Sequence, residues 1–303
     1  MKLRGYALII AAAALWGMIG PFSRLALEEG LAPLEVAFWR GLLAWFFFAA
    51  HAGLTKQVRF EKQDAPAIIF FGIIGVTLFF GSYQMAVDRG GVAMAAVLLY
   101  TAPAWVALMS GVFFKEKITP VKTVALVLTL VGVAGVSSGG ADVASGIRGD
   151  IDFSAVFWGL LAGFCYALYY IFGKHFSSRY STPNLFLYIL PIGITGLLPW
   201  VPFTPKTLKA WSALLANAFL CTYVAYIVYY AGLKCLEATR AAITATLEPV
   251  IAALIAYLWW HEYFTVRGYA GSFLVLAAVL LMILDSSVTH EKCGSPYDGA
   301  ASG

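Results

Sequence analysis

Charged residues are scarce in this chain of 303 residues, where Asp, Glu, Lys and Arg together account for 12%. A soluble domain usually has about 25% of them. Hydrophobic residues make up 61% of the chain, which is more than the interior of one folded domain can hold, so much of its surface must be apolar. The composition therefore excludes an ordinary soluble protein and favours one whose solvent is the lipid bilayer.

Motifs of several functional classes are absent as well. The chain has no GxxxxGK[ST] stretch for phosphate binding, which argues against ATP-driven pumping by this chain. His261 and Glu262 begin like an HExxH zinc motif, but no second histidine follows. The four cysteines form no CxxC pair, and there is no GxSxG motif. We therefore expect no metal, no cofactor and no catalytic residue, and the net charge of +4 is too small to indicate nucleic-acid binding.

Apolar runs recur along the chain at the length of a membrane-spanning helix, which is about 20 residues. Short connections separate them, so consecutive helices should be antiparallel. The first run is too long for a signal peptide and lacks a small-residue cleavage site, so we expect it to be retained. The pattern predicts an all-α membrane protein with ten transmembrane helices, near 5–27, 33–53, 66–87, 91–114, 120–138, 153–174, 182–203, 209–233, 239–260 and 266–284.

An internal repeat relates the two halves of the chain. Residues 95–119 align with residues 241–265 at a constant offset of 146, which places Pro103 on Pro249 and Glu116 on Glu262. Each copy has five helices, an odd number, so the second copy must enter the membrane from the opposite face. The sequence thus predicts two inverted five-helix repeats around a central cavity, an architecture that secondary transporters use.

The repeat also divides the chain. We assign residues 1–138 to the first repeat, 139–152 to a Gly- and Asp-rich linker, 153–285 to the second repeat and 286–303 to a flexible polar tail. If the N-terminus is cytoplasmic, 13 of the 20 Lys and Arg residues lie on the cytoplasmic side. The positive-inside rule therefore predicts that both termini are in the cytoplasm.

Two segments resemble the two repeats of the EamA family, which belongs to the drug/metabolite transporter superfamily. The first runs from Tyr100-Thr101-Ala102-Pro103 to Lys115-Glu116, and the second from Leu247-Glu248-Pro249-Val250 to His261-Glu262. Lys115 and His261 depart from the glycine that usually precedes the acid in this family. The resemblance implies a carrier in the bacterial inner (plasma) membrane that exports amino acids or similar metabolites by alternating access.

Other functions stay open at this stage. Within transport, the alternative is an importer of metabolites or quaternary ammonium compounds. From another class, the chain could be an integral membrane enzyme, although it lacks clustered catalytic groups, or a non-transporting assembly subunit. The expected partners are a small-molecule substrate and the lipid bilayer, with no nucleic acid, and proton coupling and the oligomeric state are left undecided.

Glu248 is the carboxylate predicted nearest to the centre of a helix. An ionised acid there costs about 2.5–3.5 kcal/mol on insertion scales. Protonating a free glutamate at pH 7 costs about 3.7 kcal/mol. Since the two costs are similar, a small change in hydration could switch its protonation, as a proton-coupled carrier requires. The acid could equally bind a substrate amine, or simply be hydrogen-bonded between helices.

Aromatic residues make up 16% of the chain. Tyrosines in mid-membrane need a partner for the hydroxyl, which a wet cavity supplies, and aromatic rings suit amphipathic or cationic solutes. Packing between helices is the alternative interpretation. The candidate substrate-binding residues are Trp16, Tyr83, Gln84, Tyr100, Tyr166, Tyr169, Tyr226, Tyr230, Thr244 and Glu248.

Two prolines and two acids complete the candidate residues. Pro103 and Pro249 are predicted to break their helices and act as hinges, because each removes one backbone hydrogen bond. Glu116 and Glu262 are predicted to cap the helices that follow them. Arg24, Arg40 and Lys174 are expected to reach the lipid headgroups from near the helix ends.

Overall fold

The computed structural model describes residues 2–137, 153–261, 263 and 265–288. In these residues every regular element is a helix, and ten spans are long and apolar enough to cross a membrane. They are α1 (Lys2–Glu28), α2 (Pro33–Leu54), α3 (Lys62–Val92), α4 (Met94–Phe113), α5 (Pro120–Ser137), α6 (Phe153–Phe176), α7 (Thr182–Trp200), α8 (Leu208–Leu233), α9 (Ala238–Trp259) and α10 (Val266–Asp285). The all-α, ten-helix prediction is confirmed.

Three predicted features lie wholly or mostly outside the described residues. These are the linker 139–152, the acid Glu262 and the tail from residue 289 onwards. The last helix continues to Val288, so the first three residues of the predicted polar tail are helical. Their carbonyls and amides extend the ladder of α10 by most of one turn.

Helix starts follow the local sequence. Proline opens α2 and α5 and lies in the first turn of α7, where its missing N–H would have no helical partner. Thr119 caps α5, because its Oγ1 accepts a hydrogen bond of 3.3 Å from the backbone N–H of Lys122.

The contacts between helices follow an approximate two-fold symmetry that relates the two halves of the chain. Helix α1 packs on α8, and the corresponding α6 packs on α3. Helix α2 packs on α8, and its equivalent α7 packs on α3. In the pairs α2–α7 and α5–α10, the two equivalent helices pack on each other. Five antiparallel crossings separate each helix from its counterpart, so equivalent helices run in opposite directions. This is the inverted arrangement predicted from the sequence.

Small residues set the distance between α5 and α10. A methyl group added to Gly132 would lie 2.8 Å from the carbonyl oxygen of Gly271, and one added to Gly135 would lie 2.9 Å from the Gly271 Cα. Glycine at these positions therefore lets the two backbones touch, which is a common solution where lipid offers helices no hydrophobic drive to associate.

Helices α3 and α8 each contain a π-helical segment, at Gly72–Leu78 and Asn217–Val224. The two segments occupy equivalent positions in the repeats. A π segment breaks the regular hydrogen-bond ladder and is frequently found at functional sites. In this chain both segments contribute residues to the cavity described below.

We call the membrane side where α1 begins and α10 ends the N-terminal face. Buried polar contacts join the two halves at this face. Lys122 of α5 pairs with Glu237 at 2.8 Å, and Arg240 of α9 pairs with Glu237 at 2.7 Å and with Asp285 of α10 at 2.6 Å. The Tyr6 hydroxyl donates to the Met282 carbonyl at 2.8 Å.

Glu116 is also at this face, and its position corrects the sequence prediction. Its carboxyl accepts hydrogen bonds from the backbone N–H groups of Ala238 and Thr239, at 2.8 and 3.3 Å, and from the Thr239 hydroxyl at 2.9 Å. Glu116 therefore caps a helix as predicted, but that helix is α9 of the other half. The following helix, α5, already has Thr119 as its cap.

Candidate substrate site

Helices α4 and α9 are interrupted at equivalent points in the middle of the protein. The helix ends at Leu99 and restarts at Ala102 in α4, and it ends at Ala245 and restarts at Leu247 in α9. A threonine closes each first segment: Thr101 Oγ1 donates to the Leu98 carbonyl at 2.6 Å, and Thr246 Oγ1 donates to the Ile243 carbonyl at 2.5 Å. The two halves therefore place the same capped break at the same depth.

Pro103 and Pro249 lie two and three residues after these threonines, in the first turn of the second helical segment. The breaks thus precede the prolines, where a helix usually stops because proline disfavours helical geometry in the residue before it. Gly163 of α6 packs on the first break, and a methyl group there would lie 2.7 Å from both the Leu98 carbonyl oxygen and Thr101 Oγ1.

Glu248 lies directly after the break in α9, in the first turn of the second helical segment. The Tyr166 hydroxyl donates to its carboxyl at 3.4 Å, and the Tyr100 hydroxyl is also within hydrogen-bonding reach of it. Thr246 and Leu247 before it are buried, whereas Glu248 is only half-buried. The acid therefore lies between α4, α6 and α9 and keeps part of its surface accessible.

Aromatic rings extend from Glu248 across three helices. Trp16 of α1 lies 5.5 Å from Tyr226 of α8, centroid to centroid and edge to face. Tyr226 stacks on Tyr169 of α6 at 5.8 Å, and Tyr169 lies 6.3 Å from Tyr166. These rings form a continuous wall that ends at the acid.

A small cavity of about 40 Å³, partly open to the exterior, lies along this wall. Helices α2, α3, α6, α7 and α8 surround it, and its lining includes Arg40, Val76, Phe79, Tyr169, Thr222 and Tyr226. Its lining is mostly apolar with a few polar groups, as in pockets for small molecules, but its volume is smaller than the roughly 300–1,000 Å³ typical of them.

Comparison with known sequences decides the family. The sequence model described as the EamA-like transporter family matches residues 3–138 and 153–284. The chain belongs to this family.

Relatives of this EamA-like protein cover almost its whole length. An uncharacterized transporter of Archaeoglobus fulgidus is 28% identical over 277 residues, which is 91% of this chain and 95% of the relative. The uncharacterized inner membrane transporter YicL of Salmonella typhimurium is 22% identical over 293 residues, 93% of this chain and 96% of YicL. One solved crystal structure matches with a TM-score of 0.81 at 16% identity, covering 96% of this chain and all of that one. The family and the names of these relatives indicate a transporter, and the structure match shows the fold.

The structure brings most of the predicted substrate residues together. Trp16, Tyr100, Tyr166, Tyr169 and Tyr226 lie in the wall or beside Glu248. Tyr83 of α3 is half-buried and lies within electrostatic range of the same acid. Their assignment to substrate binding stays a prediction.

Three other predicted residues have different surroundings. Gln84 donates to Asp88 at 2.7 Å, one turn further along α3. Thr244 is fully buried and donates to the Arg240 carbonyl at 2.8 Å within its own helix. Tyr230 is 1% exposed and donates to the Tyr169 carbonyl at 3.4 Å. The surfaces of Thr244 and Tyr230 are buried and their hydroxyls already have partners in this structure, so their assignment to substrate binding stays a prediction without a contact to support it.

Two basic residues differ from the sequence prediction. Lys174 donates to the carbonyls of Leu233 and Leu236, at 3.0 and 2.5 Å, and so caps the end of α8 instead of reaching headgroups. Arg40 lines the cavity. Arg40 is the eighth residue of α2, which is deep for a contact with headgroups. This position in the sequence was the signal that could have indicated an interior role.

Proposed function

We propose that this EamA-like protein is a secondary active transporter that exports small organic solutes, amino acids or related metabolites, by alternating access. It acts in the inner membrane of a bacterium, with both termini in the cytoplasm. The observation that supports this most directly is the position of Glu248, a half-buried acid at a mid-membrane helix break, beside an aromatic wall and a cavity.

The wall and the acid supply two complementary kinds of contact. Ionised Glu248 binds the ammonium group of a solute, and the faces of Trp16 and Tyr226 attract the same cation. Protonation of Glu248 removes the ion pair and releases the solute, so one residue can serve both binding and proton coupling. Acids within membrane segments are expensive to bury and commonly serve such relays.

Alternating access follows from the inverted repeats. The capped breaks at Thr101 and Thr246 divide α4 and α9 into two segments each, so the outer and inner segments can tilt separately. The ion pairs of Lys122, Glu237 and Arg240 hold the halves together at the N-terminal face. In the exchange between states, these contacts open while equivalent regions at the other face close.

Counterflow in proteoliposomes tests this proposal. Purified protein is reconstituted with each of the twenty L-amino acids and a set of simple amines, with and without a pH gradient. We expect counterflow of at least one amino acid, dependence on the gradient, and at least a tenfold loss in Glu248→Gln, with an unchanged melting temperature. Glu28→Gln, at the exposed end of α1, is the matched control.

Two results contradict the proposal. Unchanged uptake and pH dependence in Glu248→Gln would remove Glu248 from the mechanism. Absence of counterflow for every solute would favour a non-transporting assembly subunit.

A further inference from the structure

Arg40 is a cation without a carboxylate partner in the interior of the protein. Across the part of the chain that the structure describes, its guanidinium has no ion pair or hydrogen bond, and it lies over the Phe80 ring, 5.3 Å from the centroid. Other interior basic residues are paired: Lys122 with Glu237, Arg240 with Glu237 and Asp285, and Lys206 with Glu35.

The Arg40 side chain is directed toward the middle of the membrane. Its backbone lies about 10 Å along α2 from the start of that helix, at about 1.5 Å per residue. The Phe80 ring that the guanidinium overlies belongs to a residue twelve positions before α3 ends at the same membrane face, which is about 18 Å along that helix. The guanidinium thus contacts a residue deeper than its own backbone, in a cavity whose lining extends outward as far as Leu197 of α7. The guanidinium therefore does not extend toward the headgroups.

A charged residue inside the bilayer is costly unless it is paired or faces a wet cavity. Arg40 faces the cavity, with the Tyr169 and Tyr226 rings on the adjacent wall. Glu248 lies within electrostatic range of Arg40, but the two side chains form no ion pair. The cavity thus has a guanidinium without an ion pair in its lining, and the aromatic wall that borders it leads from Tyr226 and Tyr169 to Tyr166 and Glu248.

A guanidinium presents two parallel N–H donors that match the two oxygens of a carboxylate. We propose that Arg40 binds the carboxylate of the transported solute, so that the substrates are carboxylate-bearing compounds. This inference rests on the proposed transport function and narrows its substrate class. It argues against quaternary ammonium compounds and simple amines as preferred substrates, because these compounds have no carboxylate for Arg40 to bind.

The experiment compares the twenty L-amino acids with their methyl esters, which keep the amine and lose the anionic carboxylate. Binding to purified protein is measured as ligand-induced thermal stabilisation, and transport is measured as counterflow in proteoliposomes. For the wild type we expect the best amino acid to bind at least tenfold more tightly than its ester. In Arg40→Gln we expect this ratio to fall to about one, with ester binding retained.

Two variants keep the result interpretable. Arg40→Lys keeps the charge but loses the bidentate geometry, so we expect KM for the amino acid to rise at least tenfold with little change in kcat. If Arg40→Gln does not fold, the Arg40→Lys variant tests the role of Arg40 in its place. Arg24 forms a half-exposed ion pair with Glu28, one turn further along α1. As the control variant, Arg24→Gln should leave the acid-to-ester ratio unchanged both in binding and in counterflow.

The outcomes separate the two proposals. Counterflow by the wild type combined with an unchanged acid-to-ester ratio in Arg40→Gln would overturn the role of Arg40 while the transport function stands. Tighter binding of esters than of acids by the wild type would overturn it as well. An equal loss of acid and ester transport would indicate a purely structural role for Arg40. No transport by the wild type would contradict the proposed function itself.

Discussion

The hydroxyl of Tyr166 on α6 donates a hydrogen bond of 3.4 Å to the carboxyl of Glu248 on α9. This contact joins the first helix of the second repeat to the helix that carries the half-buried acid. It also links the acid to the aromatic wall, because Tyr166 lies 6.3 Å from Tyr169 and 5.6 Å from Tyr170, measured between ring centroids.

Removing this hydroxyl should weaken transport modestly. Hydrogen bonds to charged groups contribute about 1.5–3 kcal/mol, and this one is long, so we expect Tyr166→Phe to cost about 1 kcal/mol, or about fivefold in kcat/KM. Counterflow kinetics measure the effect.

Tyr229→Phe is a matched control for this change. Tyr229 lies near the same wall, 5.0 Å from Trp16, and its buried hydroxyl has no hydrogen-bond partner among the described residues. We expect transport by Tyr229→Phe to equal that of the wild type and its melting temperature to be equal or higher. Equal losses in the two variants would show that the Tyr166–Glu248 bond is not the cause.

The contact between α5 and α10 leads to a prediction about stability. In Gly271→Ala the added methyl group meets the backbone of Gly132, Gly135 and Val136, so the helices must separate. Overpacking of this kind costs about 1–3 kcal/mol, and the melting temperature in detergent should fall. Gly81→Ala is the control, since a methyl group there meets nothing within 4 Å, and its melting temperature should not fall. Equal melting temperatures would contradict the close contact.

The sequence was sufficient for the ten helices and the repeat, because hydropathy and the spacing of matched prolines and acids are local signals. It also located the helix breaks to within three residues, since Pro103 and Pro249 restrict the backbone before them. The inverted orientation followed from the odd number of helices in each half.

The roles of Arg40 and Glu116 could not be derived in this way. Whether Arg40 points to lipid, headgroups or a cavity depends on how α2 is rotated against α7 and α8, which are distant in sequence. Glu116 caps α9 because the fold brings residues 116 and 238 together, and no spacing in the chain records that contact. Side-chain partners across helices were therefore the part that required the structure.

Glu237 gives a pH-dependent prediction. It lies in the connection between α8 and α9, outside the membrane spans. Burial pushes the pKa of its carboxyl upward, but hydrogen bonds and charge from Lys122 and Arg240 outweigh burial and hold this pKa below its ordinary value. A carboxyl with a depressed pKa in the folded state stabilises the fold above its unfolded pKa, and this contribution is lost as the pH falls through the folded pKa.

The wild type should therefore melt at a higher temperature than Glu237→Gln at pH 7, with the difference shrinking as the pH is lowered below about 4.5. Thermal melting in detergent from pH 7 to pH 3 measures this. Glu28→Gln should show little difference at any pH, because its ion pair with Arg24 is half-exposed and surface pairs contribute little. A constant gap between wild type and Glu237→Gln would contradict the interpretation.

Lys115 and His261 are the equivalent residues that stand where the family usually has glycine, and both adopt the left-handed conformation, with φ of 56° and 55°. Each follows the last turn of its helix, and after Lys115 the N–H of Glu116 bonds back to the Ser110 carbonyl at 3.2 Å. Glycine is the usual residue at this helix C-terminal position because it has no Cβ.

Replacing these residues by glycine should stabilise the protein. The left-handed conformation costs a residue with a Cβ about 1–2 kcal/mol, and the greater freedom of glycine in the unfolded chain offsets roughly half of this. We expect Lys115→Gly and His261→Gly each to raise the melting temperature, by an amount corresponding to about 0.5–1 kcal/mol. Lys117→Gly, in the same connection but without a positive φ, should lower it, since only the unfolded state gains. A fall in all three variants would show that the left-handed turns carry no relievable strain.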